Sequence, residues 1–234
     1  MWINGSRKIS TAWRLMAAIA LCGLLPQCAA GAPPPPTSAP AATSPRNVAP
    51  EPATVAGVTA TELGPTWHRG CPVTPAQLRR VTLTYLGFDD RPHRGELIVN
   101  QELVAQVIAI FDRLYRLEFP IERMQPVAHY RGGDDELSME DNNTSAFNCR
   151  RIPGSGNWAL HAYGRAIDVN PLLNPMVDHG RFEPRNARVY LDRRRIEPGL
   201  LHAGDAAVRA FTDAGWRWGG TWKSPVDYQH FERR

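Results

Sequence analysis

Two short segments in the C-terminal half of the chain carry residue types that bind metals. His161 and Asp168 flank Gly164, and Asp227 stands shortly before His230. Two imidazoles and one carboxylate leave a fourth tetrahedral position open, an arrangement typical of catalytic zinc. A further carboxylate that does not bind the metal can then accept a proton from water. The residue types therefore predict hydrolytic zinc chemistry.

Gly164 determines whether the first two of these residues can meet. On one straight strand His161 and Asp168 would face opposite sides, because side chains alternate along a strand. A turn at Gly164 brings the imidazole and the carboxylate together, since glycine adopts turn conformations without steric cost. The spacing by itself is common by chance, so it makes the ligand set a hypothesis rather than an identification.

A wider sequence pattern supports the same hypothesis. His-x6-Asp followed by Asp-x-x-His resembles the zinc signature of the D-alanyl-D-alanine carboxypeptidase family, which includes VanY-type carboxypeptidases and the L-alanyl-D-glutamate endopeptidases of phage lysins. Residues 143–150, 161–171 and 216–231 are similar to an exported subgroup of that family. Together these segments span most of the chain from Trp67 to the C-terminus.

The resemblance implies a small α+β fold shared with the hedgehog signalling domain, zinc as the cofactor, and peptidoglycan stem peptides as the substrate. It places His161, Asp168 and His230 at the ligand positions and Asp227 at the base position. Both D,D-carboxypeptidase and L-Ala-D-Glu endopeptidase activities remain open. The alternative is a hedgehog-like wall-binding module without catalysis, which would have no need of a base at Asp227.

One element departs from the family pattern. Many relatives carry Ser-Gly-Tyr-Arg upstream of the signature, and its arginine helps to polarise the scissile carbonyl. The comparable stretch here, residues 145–148, reads Ser-Ala-Phe-Asn. We expect Arg150 to supply the cation instead.

The N-terminal residues predict export. Basic residues precede the apolar run 15–25, which is too short for a good membrane span, so residues 1–32 are typical of a secretory signal peptide. Ala30-Gly31-Ala32 offers a cleavage site that would release a soluble product. Cys28 loosely resembles a lipoprotein acylation site, which would tether the protein to the membrane instead.

The domain boundaries follow from composition. Residues 33–66 begin with a stretch dominated by Pro, Ala, Ser and Thr, which cannot bury a core and predicts a linker. Aromatic and β-branched residues return near Trp67, so we expect the catalytic domain to span residues 67–234. With Cys22 and Cys28 in the leader, Cys71 and Cys149 remain, and an oxidising compartment favours a disulfide between them over two free thiols.

Charge indicates the class of partner. The formal net charge is +4 and the sequence pI is about 9.1, but the arginines are spread along the chain. This distribution fits an anionic wall polymer and gives little support to specific nucleic-acid binding. We expect a monomer that acts on peptidoglycan peptides.

Patterning predicts an α+β domain with a small, mainly antiparallel sheet and flanking helices. Asn100 is the expected N-cap of a helix with apolar residues at helical spacing from Leu103 to Leu114. The other expected elements are strands at 80–86, 96–99, 126–130, 165–169, 216–218 and 227–231, a helix at 206–214, and long loops at 132–143 and 172–204.

Several aromatic residues have no assigned role. Five histidines lack a partner at ligand spacing and are expected to be structural or exposed: His68, His93, His129, His179 and His202. Trp216, Trp218 and Trp222 fit either a substrate cleft or the core.

Overall fold

The computed structural model describes residues 49–234. Their helices are α1 (Ala60–Leu63), α2 (Val104–Arg116), α3 (Asp135–Glu140) and α4 (Ala206–Thr212). Their strands are β1 (Thr54–Gly57), β2 (Leu78–Leu86), β3 (Pro92–Asn100), β4 (Arg123–Met124), β5 (Asn143–Thr144), β6 (Ala166–Asp168), β7 (Met176–Asp178), β8 (Arg181–Glu183), β9 (Arg217–Trp218), β10 (Val226–Asp227) and β11 (His230–Glu232). The expected signal peptide, Cys28 and the first part of the linker lie outside the described residues.

A long antiparallel hairpin and one helix form the regular part of the fold. β2 pairs with β3 from Leu78↔Asn100 to Leu86↔Pro92, and β1 adds a third strand along β2. Asn100 ends β3, and its side chain accepts a hydrogen bond from the Glu102 backbone N–H at 3.1 Å, as the predicted N-cap requires. One turn of 3₁₀ helix leads from there into α2. The apolar face of α2 then packs on β2.

Short strands carry the C-terminal part of the chain. One sheet has the order β6-β11-β9 and another has the order β10-β7-β8, and both are antiparallel. β4 and β5 form a parallel pair. Because Ile167 of β6 and Phe231 of β11 are fully buried in the same cluster as α2 and α4, the first of these sheets rests on the main core. The α+β prediction is confirmed.

Regular structure begins before the expected boundary. β1 and α1 lie within residues 33–66, which the sequence assigned to the linker. Leu63 is only 1% exposed, and β1 is hydrogen-bonded to β2. The linker therefore ends earlier than predicted, because a few apolar residues among Thr, Ala and Pro suffice when a long strand offers its edge for pairing.

Four local predictions are wrong in type or extent. The expected strand at 126–130 contains a 3₁₀ turn, Val127–His129, and the expected loop at 132–143 contains α3. The expected loop at 172–204 contains the β7–β8 hairpin. The expected single strand at 227–231 divides into β10 and β11, which belong to different sheets. Tertiary pairing, rather than local pattern, sets the structure of segments this short.

Within residues 49–234, no helix has the length and apolar character needed to cross a membrane.

Candidate metal centre

A tight turn positions His161. The residue lies in the 3₁₀ turn Leu160–Tyr163, which Gly164 ends with a φ of 66°. A Cβ on Gly164 would lie 2.6 Å from the backbone nitrogen of Asn100, so the hairpin approaches too closely for a side chain. The Asn100 N–H donates to the Gly164 carbonyl at 2.8 Å and fixes the turn against the end of β3. The predicted turn at Gly164 is confirmed.

Strand register brings the other two ligands together. His230 of β11 lies directly opposite Asp168 of β6 in an antiparallel pair, so their side chains share one face. The neighbouring residues, Ile167 and Phe231, point to the opposite face and are buried in the core. Alternation along two three-residue strands therefore separates the polar site from the apolar support beneath it.

The three candidate ligands converge on one point. The Nε2 atom of His161 lies 3.1 Å from the Nδ1 atom of His230 and 3.1 Å from Oδ2 of Asp168. The Nδ1 atom of His230 lies 3.0 Å from Oδ1 of Asp168. Ligands about 2.0–2.1 Å from a tetrahedral zinc ion are roughly 3.3–3.4 Å apart, so these donor atoms fit such an ion after small adjustments. Each residue is at most 8% exposed.

Hydrogen bonding fixes which nitrogen of His161 faces the site. Its Nδ1 atom lies 2.5 Å from the carbonyl oxygen of Ala146. A carbonyl only accepts hydrogen bonds, so Nδ1 carries the proton and Nε2 presents its lone pair to the other ligands. Ala146 is held in place because Ser145 exchanges two backbone hydrogen bonds with Asp168, at 3.0 and 2.9 Å. Such an outer partner orients a metal-binding histidine.

Glu232 is the corresponding outer partner of His230. Its Oε2 atom lies 3.5 Å from His230 Nε2, on the side of the ring away from Asp168. The carboxylate is 7% exposed and lies near Arg217, at 3.2 Å, and Arg234, at 3.5 Å. The position of Glu232 two residues after His230 on a strand places both side chains on one face, and this spacing is the only sequence signal for the contact.

The electrostatics of the cluster favour a positive charge among its side chains. Burial opposes charge here, yet hydrogen bonds to Asp168 and Glu232 raise the pKa of His230 to about 10. Burial likewise disfavours an ionised Asp168, but His161 and His230 hold the pKa of that carboxyl well below its usual range. A metal ion that supplies this charge leaves the same carboxylate ionised and paired, as a ligand set of this composition requires.

Asp227 lies close to this cluster and is only partly exposed. Burial and the nearby Asp168 raise its pKa to about 6, although His230 and His161 oppose the shift. Its Oδ1 atom is buried and has no hydrogen-bond partner among the described residues. Gly219 packs so closely on the Asp227 backbone that a Cβ there would lie 2.6 Å from the Asp227 carbonyl oxygen. An orphaned carboxylate oxygen beside the donor cluster suits a proton acceptor.

Arg150 approaches the same cluster from another segment. Its Nε atom donates to Asp135, and Asp135 also accepts a 2.8 Å hydrogen bond from Asn148 Nδ2. Burial alone would lower the pKa of Arg150, but Asp135, Asp168 and Asp227 together raise it. The guanidinium is therefore a fixed positive charge in the field of both site carboxylates. No sequence pattern pointed to Asp135.

The two remaining cysteines are joined. Cys71 and Cys149 form a disulfide with a Cα–Cα distance of 5.9 Å, which confirms the predicted pairing. Cys149 directly precedes Arg150, so the bond ties the start of the domain to the segment that supports the site. His68 lies beside it, with Nε2 3.6 Å from Cys149 Sγ. These three residues do not offer a metal site, because the two sulfurs are bonded to each other.

The other aromatic residues separate into two groups. Trp216 and Trp218 are 3% and 4% exposed and belong to the core. Trp222 is partly exposed, and its ring centroid lies 5.3 Å from that of His230. His93 and His179 pair with local aspartates, Asp89 and Asp178, rather than with the site.

Comparison with known proteins supports the same reading of the site. Residues 153–233 match the family model described as D-alanyl-D-alanine carboxypeptidase. The family resemblance is confirmed. The matched segment contains His161, Asp168, Asp227 and His230, whereas Arg150 lies just before it. Searches of curated proteins and of solved structures found no match.

The match over residues 153–233 supports a VanY-like peptidase, that is, a hydrolase of peptide bonds. The family's members are generally zinc-dependent, and the donor set of His161, Asp168 and His230 suits zinc. Ala146, Asp135 and Glu232 act on the site through other residues. No motif pointed to them, because a backbone carbonyl and an outer carboxylate have no characteristic spacing.

Proposed function

We propose that this chain is an exported, zinc-dependent peptidase that hydrolyses peptide bonds in peptidoglycan stem peptides. The observation that carries the proposal is the convergence of His161, Asp168 and His230 beside Asp227, whose Oδ1 atom is buried and has no hydrogen-bond partner among the described residues. Three protein ligands leave a coordination position for chemistry, whereas structural zinc sites are closed by four. The family match supports the same substrate class.

The metal ligands and Asp227 have separate roles in the reaction. When bound, zinc would supply Lewis acidity that polarises the substrate carbonyl and lowers the pKa of water. Asp227 accepts the proton of the attacking water and delivers it to the leaving amine. Its Oδ1 atom, which has no hydrogen-bond partner among the described residues, is available for both transfers. Ala146 and Glu232 keep the imidazoles in place throughout.

Arg150 stabilises the developing negative charge on the carbonyl oxygen. Its guanidinium lies in the field of Asp168 and Asp227, and Asp135 holds its Nε side. A fixed cation aimed at the reacting centre lowers the barrier, because its orientation is set before the reaction begins. This role replaces that of the upstream arginine found in many relatives.

The rival function is a wall-binding module that keeps the metal but does not cleave. Asp227 argues against it, because burying a carboxyl with an unpaired oxygen costs stability and a binding site gains nothing from it. Carboxypeptidase and endopeptidase activities are both compatible with the ligand set. The proposal also includes export through residues 1–32, followed by release or by a lipid tether at Cys28, and action as a monomer.

Digestion of purified peptidoglycan tests the proposal. Zinc-loaded protein is incubated with sacculi, and the products are identified by mass spectrometry. Loss of a terminal D-alanine indicates carboxypeptidase activity, and a new N-terminal D-glutamate indicates endopeptidase activity. His161→Ala serves as the inactive control. If the zinc-loaded protein binds sacculi but creates no new termini, the wall-binding function replaces the peptidase.

A further inference from the structure

Of the three tryptophans in residues 216–222, only Trp222 lies outside the buried core. Trp216 and Trp218 are almost fully buried, whereas Trp222 is partly exposed and packs its ring against His230. A partly exposed indole keeps some apolar surface available for contact, although the guanidinium carbon of Arg217 lies 6.0 Å from its ring centroid. The ring lies directly beside His230, one of the three candidate metal ligands.

The turn before Trp222 has little freedom to move. A Cβ on Gly220 would lie 2.2 Å from the Trp218 ring, and a Cβ on Gly219 would lie 2.6 Å from the Asp227 carbonyl oxygen. The 3₁₀ turn Gly219–Thr221 is therefore pressed between a core indole and the strand of the base. The Trp222 N–H donates to the Gly219 carbonyl at 3.0 Å and closes the turn. The Trp222 backbone is thus fixed relative to both Asp227 and His230.

The fixed indole next to His230 limits which substrate side chains fit beside the metal ligands. A peptide carbonyl placed between His161, Asp168 and His230 brings its flanking residue close to the indole, because the two ring centroids are only 5.3 Å apart. A small aliphatic side chain packs on such a surface without losing hydrogen bonds, whereas a charged one loses hydration. A long side chain has less room beside a wall this close.

We propose that Trp222 forms the apolar wall of a substrate subsite and selects a small aliphatic residue next to the scissile bond. This inference rests on the proposed peptidase function and names the specificity determinant of that same site. Trp222 contacts the substrate and is not a metal ligand. Its removal therefore weakens substrate binding and leaves the metal in place.

Binding to an uncleaved peptide gives the most direct test. An alanine-terminated stem pentapeptide is titrated into zinc-loaded Asp227→Asn protein, with and without Trp222→Ala, and zinc content is measured in parallel. Apolar contacts of this kind are worth about 10-fold to 200-fold in discrimination, so Trp222→Ala should weaken binding at least about 10-fold with zinc unchanged. Trp222→Phe should restore most of the affinity, because it keeps a flat apolar surface.

Kinetic measurements with Asp227 intact distinguish a role of Trp222 in substrate specificity from a role in supporting His230. Trp222→Ala should raise KM more than it lowers kcat. The kcat/KM for a substrate with alanine beside the cleaved bond should also fall closer to the kcat/KM for a substrate with a bulkier residue there. Trp158→Ala is the matched control, since Trp158 is also partly exposed but stacks with Arg151, 4.2 Å from its ring, rather than with His230. This control should change neither KM nor the preference.

Two results would overturn the inference. Unchanged affinity and preference in Trp222→Ala would mean that the indole does not touch the substrate. Zinc loss in parallel with activity would mean that Trp222 merely supports His230. If the unmodified protein cleaves wall peptides and Trp222→Ala gives either of these results, only this inference fails. If it cleaves and binds none, the proposed function fails and the inference fails with it.

Discussion

The hairpin and α2, residues 78–116, are built differently from the site-bearing region, residues 138–232. The first has two nine-residue strands paired along their whole length, and Thr84 and Asn100 are its buried polar residues. The second has strands of two or three residues and many buried polar side chains: Ser138, Asn142, Asn143, Thr144, Ser145, Asn148, His161, Asp168, Asn170, Asn174, Gln229, His230 and Glu232.

Buried amides replace strand pairing in the site region. Asn174 is fully buried, and its Nδ2 donates to the carbonyls of Val169, Asn170 and Gly199, at 3.2, 3.2 and 3.0 Å. Its Oδ1 accepts from the Leu201 N–H at 2.8 Å and from Arg193 at 3.1 Å. One side chain thus ties several loop segments to the end of β6. Hydrophobic burial builds the support, and polar networks shape the site that rests on it.

Replacing a metal ligand should have the largest effect on activity. The fold of the hairpin region should remain unchanged. His161→Ala should lose tightly bound zinc and all detectable hydrolysis, because two ligands do not retain the ion. Far-ultraviolet circular dichroism should stay close to that of the unmodified protein, since α2 and the hairpin do not depend on the metal. His129→Ala is the control, as His129 is exposed and contacts Gln125. Activity in zinc-free His161→Ala would remove the basis of the site.

The disulfide links the start of the domain to the site region. Its removal should have the second-largest effect. Replacing Cys71 and Cys149 with serine should lower the free energy of unfolding by about 4–5 kcal/mol on the chain-entropy estimate for a loop of this length. Denaturant unfolding measures the change. Peptide mapping without reductant should recover the linked pair. Two freely alkylated thiols in the folded, oxidised protein would refute the bond.

A cavity in the apolar core should lower the free energy of unfolding without changing catalysis. Phe111 of α2 is 1% exposed and packs edge-on against Phe211 of α4, with ring centroids 6.2 Å apart. Phe111→Ala should lower the unfolding free energy by about 3–5 kcal/mol through lost burial and a cavity. Zinc content and kcat should persist below the new melting point. Leu117→Ala, at a partly exposed position, should change stability by less than about 0.5 kcal/mol.

Disrupting the polar network should lower activity as well as stability. Asn174→Ala leaves the buried Leu201 N–H without its acceptor, which should cost about 1–3 kcal/mol. Because the change loosens the chain that follows β6, kcat/KM should fall at temperatures where the protein is still folded. The exposed Asn157→Ala should alter neither quantity. If Asn174→Ala affects activity no more than Phe111→Ala does, the division between support and site is wrong.

Sequence reasoning succeeded where one pattern was long enough to decide the structure. Apolar spacing located α2, and Asn100 marked its start, because capping chemistry and helical periodicity are local properties. It failed at residues 126–130 and 172–204, where short segments take their structure from neighbours that are distant in sequence. It also placed Asp227 and His230 on one strand, whereas the chain bends between them and joins two sheets.

The metal ligands were predictable and their supports were not. The types and order of His161, Asp168 and His230 carry the chemistry in the sequence itself. Ala146 contributes through its carbonyl, and Asp135 contributes by holding Arg150, so neither residue type indicates its role. Trp222 fitted core and cleft equally well until the burial of Trp216 and Trp218 distinguished it.

The most direct measurement compares zinc content with turnover in Asp227→Asn. Asparagine keeps the size of the side chain but cannot accept a proton, so about one zinc per chain should remain while kcat on a wall peptide falls about 100-fold to 10,000-fold. Parallel loss of zinc and activity would make Asp227 a ligand and contradict its assignment as the base. Full retention of both would place the base elsewhere and likewise contradict the assignment.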